Sequence, residues 1–271
     1  MQPFAELTSS VIADAALRVG TFLVLASLGF LLCHRRFAAK LADRKIQPRR
    51  TATAEQVRYE LRWAAKAVAV FLVLFAAAAA LAASGVTRLY VDVDDYGWPY
   101  LVLTVVGMVA GHDLYFYLTH RLLHHPRLLW IHKVHHRYAS PTPFGTFAMH
   151  PLEAALHFGI VFIFLFAFPV HVGALAFWTV FMTSVNVLGH LGYELFPVEK
   201  MQRDKALSII NAATFHDRHH QTYRANFAFY MTVWDRLFGT FEAPPVRSAV
   251  RVGVRPKLGR EAHRGQREIA G

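Results

Sequence analysis

Apolar residues along this chain are gathered into long blocks separated by polar stretches. The blocks cover residues 11–33, 67–86, 98–118, 152–168 and 172–188. The first three are each long enough to cross the roughly 30 Å apolar layer of a bilayer as a helix. The last two are shorter and flank Pro169, which predicts a helical hairpin with His171 near its tip. The pattern predicts an all-α, polytopic membrane protein with about four to five transmembrane helices.

The polar stretches between the blocks differ in charge, and this difference predicts the orientation of the chain. Residues 35–50 are rich in Arg and Lys, which favour the cytoplasmic side of a membrane. The loop after the second block carries three aspartates and a single basic residue, Arg88, which suits the outer side. Residues 54–66 alternate charged and apolar positions at helical spacing and are predicted to lie in the interface. The third block then returns His120 to the cytoplasmic side.

Composition agrees with a membrane protein and excludes other classes. The chain has 271 residues, 55% of them hydrophobic, with a formal net charge of +11. The basic residues lie in loops and in the tail at 243–271, without a DNA- or RNA-binding motif, so no nucleic-acid partner is expected. The tail lacks an apolar pattern, and we predict that it is disordered and contacts anionic membrane lipids. The single cysteine, Cys33, allows neither an internal disulfide nor a cysteine-based zinc site.

Histidines are concentrated in three clusters. The first is His120 and His124, the second His132, His135 and His136, and the third repeats the spacing of the second at His216, His219 and His220. Residues three and four apart share a face of a helix, and neutral imidazole binds iron, zinc, copper or nickel. Each cluster alone could bind one metal ion and would leave some of its coordination positions open. With His190 the clusters supply nine imidazoles, too many for one metal and about right for two.

The alternative interpretation is that these histidines are solvated or cap helices near a basic surface. That is the better interpretation of a single histidine. We adopt it for the histidines that have no partner histidine at the spacing of a ligand cluster, which are His34, His157, His171 and His263. Two repeated clusters on one side of the membrane favour metal binding instead. The absence of HExxH from the sequence argues against a zinc protease, and the absence of Glu-x-x-His argues against a soluble di-iron carboxylate bundle.

Six motifs make residues 100–242 resemble a known family. They are DLYFYLTHRLLHH at 113–125, HKVHHRY at 132–138, HPLE at 150–153, NVLGHLGYE at 186–194, HDRHH at 216–220 and WDRLFGT at 234–240. Together they resemble the fatty acid hydroxylase superfamily, a membrane di-iron group that includes sterol desaturases. The chain departs from the family pattern at Glu194, where some members have a further histidine. It departs again at residues 226–228, where Asn-Phe-Ala replaces the frequent Asn-Tyr-Gly.

The resemblance implies a ligand set and a chemistry. The implied metal ligands are His120, His124, His132, His135, His136, His190, His216, His219 and His220. They would hold two iron ions in a cytoplasmic, His-rich helical cap, with zinc as a substitute in purified protein because imidazole suits both metals. The implied reaction uses O₂ to hydroxylate or desaturate a C–H bond of a lipid or sterol-like substrate. Its electrons would come from a cytochrome b5-like protein, a ferredoxin or a reductase.

Residues near the clusters are candidates for orienting the ligands. Asp113 lies seven positions before His120 and so shares its helix face, and Asp217 lies within the third cluster; either would accept a hydrogen bond from an imidazole. His150 is a candidate for the same supporting role or for the start of a helix. His125 is an alternative to His124, which is preferred because it lies four residues after His120.

The remaining predictions concern the domain boundaries and two alternative functions. Residues 1–96 are predicted to form the first transmembrane helices with a basic cytoplasmic loop, 97–242 the catalytic domain and 243–271 the tail. A carotenoid hydroxylase, which uses similar histidine motifs, is an alternative within the same class. A membrane metal-binding or metal-transport protein is the alternative from another class. A transporter would place ionisable ligands at mid-membrane depth, whereas these clusters flank the spans, so the enzyme is favoured.

Overall fold

A computed structural model describes residues 2–243, with only the backbone given for residues 2–4. The predicted disordered tail and His263 lie outside these residues. Within them, four helices are long and apolar enough to cross a membrane, and a fifth apolar helix is shorter. The five are α1 Gln2–Gly29, α2 Ala54–Ala83, α3 Gly97–Leu123, the shorter α5 Pro151–Ala167 and α6 Val172–Gly189. The prediction of an all-α, polytopic membrane fold is confirmed.

Helix α2 corrects the predicted boundary between an interfacial segment and a span. Residues 54–66 do not form a separate element, because α2 runs without a break for 30 residues. It begins where the Thr53 side chain accepts a hydrogen bond from the Gln56 backbone N–H. One face of the polar first turns is buried, where Glu60 accepts hydrogen bonds from Gln56 and from Thr142. At 1.5 Å per residue, α2 is about 45 Å long, so these turns extend beyond the apolar layer.

The hairpin predicted around Pro169 is formed by α5 and α6. Each helix begins at a histidine whose Nδ1 accepts a backbone hydrogen bond, His150 from Leu152 N–H and His171 from Gly173 N–H. His171 lies at the tip, as predicted. There the strand β2 Val170–His171 pairs in parallel with β1 Leu89–Tyr90, which ties the hairpin to the loop after α2.

The spans pack into one apolar core. Helix α1 packs against α2 and α6, α2 also packs against α5, and α3 packs against α5 and α6. The largest fully buried side chains in the core include Phe22, Phe158, Phe164 and Trp178. Helices α3 and α5 approach so closely that a Cβ atom at Gly159 would lie 2.6 Å from the Tyr115 hydroxyl oxygen. The predicted domain boundary at residue 96 stays a prediction, but α1 and α2 share this core with α5 and α6.

Short elements form a cap at the end of the bundle where α3 and α6 terminate and where α2 and α5 begin. They are α4 Leu129–His132, α7 Val198–Arg203, α8 Ala213–Thr222 and α9 Val233–Leu237, with 3₁₀ turns at His135–Arg137, Pro143–Phe147 and Leu207–Ile209. The basic loop between α1 and α2 packs on the same cap, since Ile46 N–H donates to the Gly192 carbonyl and the Arg44 guanidinium donates to the Leu195 carbonyl. The basic loop and the histidine clusters therefore lie at one end of the molecule.

Candidate metal centre

Nine imidazoles converge inside the cap in two adjacent groups. Within each group, the candidate ligand atoms all lie within 4.8 Å of one another. The five-histidine group contains His120, His124, His132, His136 and His219. The four-histidine group contains His135, His190, His216 and His220. The structure thus brings together all nine histidines that the sequence singled out.

The two groups do not correspond to the clusters in the sequence. The five-histidine group takes members from all three clusters, and the four-histidine group combines the second and third clusters with His190. The second and third clusters are divided in the same way, because the first and last histidines share one group and the middle one, His135 or His219, lies in the other. In the second cluster a helix ends at His132 and a 3₁₀ turn begins at His135. The interpretation that this cluster lies on one face of a helix was therefore wrong. It is correct for the third cluster, which lies entirely on α8.

Hydrogen bonds at Nδ1 fix the orientation of several rings. His120 Nδ1 donates to the Phe227 carbonyl at 2.8 Å, His190 Nδ1 to the Asn186 carbonyl at 2.8 Å, and His219 Nδ1 to the Ala225 carbonyl at 2.7 Å. A carbonyl oxygen only accepts, so Nδ1 must bear the hydrogen. In a neutral imidazole, Nε2 then keeps its lone pair. The backbone therefore selects the tautomer in which Nε2 is free to bind a metal.

The free Nε2 atoms point at one another. His120 Nε2 and His132 Nε2 are 3.1 Å apart, His219 Nε2 and His136 Nε2 are 3.0 Å apart, and His190 Nε2 and His216 Nε2 are 3.0 Å apart. Lone pairs that face each other at this distance repel unless a cation or a proton lies between them. His124 Nε2 is also buried and has no hydrogen-bonding partner among residues 2–243. The residues present therefore fit bound metal ions.

Burial keeps several of these imidazoles neutral. Desolvation lowers the pKa of His124 to about 3, with a further contribution from His132, and it lowers the pKa of His190 to about 4. Desolvation, followed by the repulsion of neighbouring imidazoles, also holds the pKa of His135 and His216 well below the usual value. A metal needs the unprotonated ring. These histidines therefore offer their lone pairs at neutral pH.

Glu153 supports the site, although in the sequence it appears only as the last residue of the HPLE motif, with no role assigned to it. His132 Nδ1 lies 2.7 Å from Glu153 Oε1, and both side chains are almost fully buried. A carboxylate on Nδ1 orients the ring and makes Nε2 a stronger ligand. The available signal was an acidic residue in the first turn of an apolar helix. The partner could not be identified from spacing because 21 residues and two turns separate it from His132.

Asp113 acts on the site through the backbone rather than through an imidazole. Its Oδ1 accepts hydrogen bonds from the backbone N–H groups of Phe229 at 3.2 Å and Tyr230 at 2.6 Å. The Asp235 carboxylate accepts from Phe227 and Ala228 N–H groups in the same segment. These two aspartates fix residues 227–230, which include the carbonyl that orients His120. The predicted direct contact of Asp113 with a ring is not formed among the described residues.

The other two candidate supporting residues also have different partners. His150 is the first-turn cap of α5, which was the second of its two predicted roles. Asp217 accepts hydrogen bonds from Gln47, in the basic loop, and from Gln221. Asp217 therefore ties α8 to the basic loop. Glu194, which stands where some family members have a histidine, accepts from the Thr214 N–H and hydroxyl, so it holds the beginning of α8.

The turn after α8 supplies two of the carbonyls that orient the rings. Helix α8 ends at Thr222, and the next residue, Tyr223, has a left-handed φ of 65°. Asn226 is also left-handed at 59°. The turn folds the chain back, so that the Ala225 and Phe227 carbonyls reach His219 and His120. The Tyr223 hydroxyl donates to the His136 carbonyl at 2.7 Å. Asn226 and Phe227 thus keep a structural role although the family's frequent tyrosine is absent.

Two cavities adjoin the histidines. An apolar groove of about 240 Å³ runs along α6 and reaches His216, with Phe181, Phe196 and Ile210 among its walls. An inner chamber of about 40 Å³ is lined by imidazoles of both groups. The groove and the chamber share four lining residues, Phe116, Asn186, His216 and Phe229. An apolar molecule in the groove would therefore have one end against the histidines.

Comparison with known proteins places these features in a family. A family model described as fatty acid hydroxylase matches residues 105–240. Rat (Rattus norvegicus) lathosterol oxidase is 35% identical over 164 residues, which cover 59% of this chain and 52% of the rat protein. A Delta(7)-sterol 5(6)-desaturase of Aspergillus fumigatus is 27% identical over 272 residues, covering 87% of this chain and 81% of the fungal protein.

A further similar protein is methylsterol monooxygenase 1 of chicken (Gallus gallus). It is 35% identical over 144 residues, which cover 53% of this chain and 47% of the chicken protein. The chain spans about half the length of the rat and chicken relatives that it matches. No solved structure matches the chain.

Proposed function

The chain belongs to the fatty acid hydroxylase family, and from this premise we propose that it is a membrane oxidoreductase that uses O₂ to hydroxylate or desaturate a C–H bond of a sterol-like lipid. The observation that carries the proposal is the convergence of nine imidazoles in two groups, within each of which the candidate ligand atoms lie within 4.8 Å of one another. The nine histidines would hold two iron ions, one for each group. Iron bound in this way supplies the reduction of O₂ and the removal of hydrogen from an unactivated C–H bond.

The protein's own contribution is to hold the rings and to keep water away. The Phe227 and Ala225 carbonyls and Glu153 orient three rings of the five-histidine group. The Asn186 carbonyl does the same for His190 in the four-histidine group. The aromatic side chains around the chamber exclude water, which protects a reactive oxidant from side reactions. Preorganised ligands of this kind do not have to rearrange during the reaction.

The substrate class follows from the relatives and from the groove. The names of the three relatives describe action on sterols, and a sterol is an apolar molecule with few polar atoms. The groove of about 240 Å³ along α6 is apolar and ends at His216, so it would accept part of such a molecule. Entry along α6 would bring a C–H bond against the histidines without passage through water.

The orientation and the electron donor are part of the same proposal. Lys and Arg favour the cytoplasmic side, and the basic loop packs on the histidine cap, so the cap would face the cytoplasm. The cap also carries Arg121, Lys133 and Arg137. A soluble electron donor with an acidic surface, of the cytochrome b5, ferredoxin or reductase type, would meet this face. Contact of the same side chains with lipid headgroups is the competing role.

Lipid mass spectrometry tests the proposed reaction. Membranes of a host that expresses the chain are compared with membranes of a host that expresses the His219→Ala variant. We expect a lipid that gains one oxygen atom or loses two hydrogen atoms with the unchanged chain only. Growth under ¹⁸O₂ should place the label in a hydroxylated product. A purified protein that holds two metals and changes no lipid when supplied with electrons would contradict the proposal.

A further inference from the structure

Two charged residues lie buried in the first membrane span, outside the part of the chain that the family model matches. Asp14 and Arg18 are one helical turn apart on α1, and their exposed fractions are only 1% and 3%. An ionised side chain in the apolar layer is costly and usually marks a functional position. The nine histidines and their supports do not account for this pair.

Most polar atoms of the pair lack a hydrogen bond of ordinary geometry, although Thr179 lies beside Asp14. Both carboxylate oxygens of Asp14, and Nε and one terminal nitrogen, Nη2, of Arg18, are buried without a hydrogen-bonding partner within residues 2–243. Aromatic rings surround the guanidinium: the centroid of Phe75 is 5.2 Å from Arg18 Cζ, and that of Trp178 is 5.6 Å away. Such rings attract a cation and hold it in place, but they accept no ordinary hydrogen bond. Arg18 is therefore positioned, with donors still free.

Arg18 lines the chamber in which the imidazoles are exposed. His120, His132, His190 and His216 line the same chamber. Its volume of about 40 Å³ is enough for one small polar group. The apolar groove adjoins this chamber, because Phe116 and Phe229 line both. A lipid in the groove that extends past these two side chains would place its leading end between Arg18 and the histidines.

We propose that Arg18 donates a hydrogen bond to an uncharged oxygen, a hydroxyl or a ketone, at the leading end of the lipid substrate. The inference rests on the proposed function, because it names a feature of the substrate of that same site. Arg18 is donor-only, so its partner must be an acceptor. The small chamber contains both Arg18 and the imidazoles, so the reacting carbon is only a few bonds from that oxygen.

Asp14 decides in favour of an uncharged oxygen over an anion. With Asp14 one turn away on the same helix, the pair has no net charge. An anionic group would add a negative charge to a pair that is already balanced, in a chamber that the Glu153 carboxylate also lines. A hydrocarbon would leave the Arg18 donors unsatisfied. Asp14 is thus a positioning residue that sets the charge of the site.

A binding experiment on the full-length protein in lipid nanodiscs tests the inference without turnover. The probe is tritiated cholestanol, and its displacement is measured with unlabelled cholestanol, cholestan-3-one, cholestane and cholestane-3-carboxylate. A second series on a straight chain uses tritiated 1-dodecanol, displaced by 1-dodecanol, 2-dodecanone, dodecane and dodecanoate. In at least one series the alcohol and the ketone should bind at least about tenfold tighter than the hydrocarbon and the carboxylate. Equal binding of all four, or no binding in either series, overturns the inference.

Three variants sharpen the result. Arg18→Met should reduce the preference for oxygen over hydrocarbon to about threefold or less, while the metal content stays unchanged. Arg88→Met, which removes an arginine at the opposite end of the bundle, is the matched control and should keep the preference. Asp14→Asn should make the pocket net positive and shift the preference towards the carboxylate by about tenfold. An Arg18→Met protein that binds metal and keeps the full preference contradicts the inference.

The proposed reaction and the proposed Arg18 site can be contradicted independently of each other. Oxygen-selective binding in a protein that oxidises no lipid would support the Arg18 site and contradict the proposed reaction. Oxidation of a lipid by a protein with no oxygen-selective binding would support the proposed reaction and contradict the Arg18 site. A water that bridges Asp14 and Arg18 is the competing explanation for the free donors, and it predicts equal binding of the alcohol and the hydrocarbon.

Discussion

The Nδ1 atom of His132 donates a hydrogen bond to Glu153 Oε1 at 2.7 Å, and this bond joins the histidine cap to the membrane hairpin. Both side chains are 2% exposed. Because Nδ1 is held, His132 Nε2 points at His120 Nε2. The orientation of a candidate ligand is therefore set by a residue on another helix.

Glu153→Gln should weaken metal binding by about 10- to 100-fold, because the neutral amide neither holds the ring as firmly nor raises its basicity. Titration against a competing chelator measures the affinity. Glu60→Gln is the matched control, since Glu60 is equally buried but bonds to Gln56 and Thr142. An unchanged affinity in Glu153→Gln, or an equal loss in both variants, would contradict a specific role for Glu153.

Each histidine group should bind one metal. We expect about two metals per chain in the unchanged protein, and about one in His219→Ala and in His216→Ala, which remove a ligand from the five- and four-histidine groups. Elemental mass spectrometry against protein concentration checks the numbers. His150→Ala, which removes only a helix cap, should keep both metals. A loss of both metals in each single variant would mean that the groups do not bind independently.

Asp113→Leu should lower the free energy of unfolding by about 1–3 kcal/mol, because buried backbone N–H groups lose their acceptor. Two of them are those of Phe229 and Tyr230. The loss should also weaken metal binding at the five-histidine group, through the Phe227 carbonyl. Denaturant unfolding in detergent gives the first value, and chelator competition gives the second. Asp113→Asn keeps an acceptor oxygen and should lose less; an equal loss would argue against the hydrogen bonds as the cause.

Acid should destabilise the metal-free protein. The pKa values of His124 and His190 are lowered to about 3 and about 4 in the folded chain, from 6.5. At pH values between the folded pKa and 6.5, the unfolded chain binds more protons than the folded chain, so the free energy of unfolding falls as the pH falls. The stability of the metal-free protein is therefore highest above about pH 6.5 and falls until the pH reaches about 3, the lower of the two folded pKa values. Denaturant midpoints across this range measure it, and midpoints that do not change with pH would contradict burial of neutral rings.

Labelling of introduced cysteines tests the orientation of the chain. In a Cys33→Ser background, Arg49→Cys and Lys200→Cys should react only from the cytoplasmic side, because both exposed positions lie at the cap end. Asp94→Cys, in the exposed loop after α2, should react only from the other side. Reaction of positions 49 and 200 from opposite sides would contradict the fold. Reaction of both from outside would contradict only the cytoplasmic assignment.

The sequence predicted the membrane helices well because their signal is local. Length and hydropathy of a block decide whether it can span the bilayer, so α3, α5 and α6 lie close to their predicted bounds. The same local reasoning did not show that residues 54–66 continue into the span as one helix. The alternation of charged and apolar positions also did not show that Gln56 and Glu60 are buried against Ser140 and Thr142. Residues so distant in the chain give no local sign of this contact.

The sequence by itself also determined which nine histidines come together, since repeated spacing and family motifs identify them without coordinates. Only the tertiary structure decided how they are divided, which rings the Phe227 carbonyl and Glu153 hold, and that Asp113 acts through the backbone. It also decided that Arg18, a charge that interrupts the first apolar block, lies beside the imidazoles. The physical reason is that spacing fixes neighbours within one helix, whereas ligand sets and hydrogen-bond partners depend on how separate helices pack.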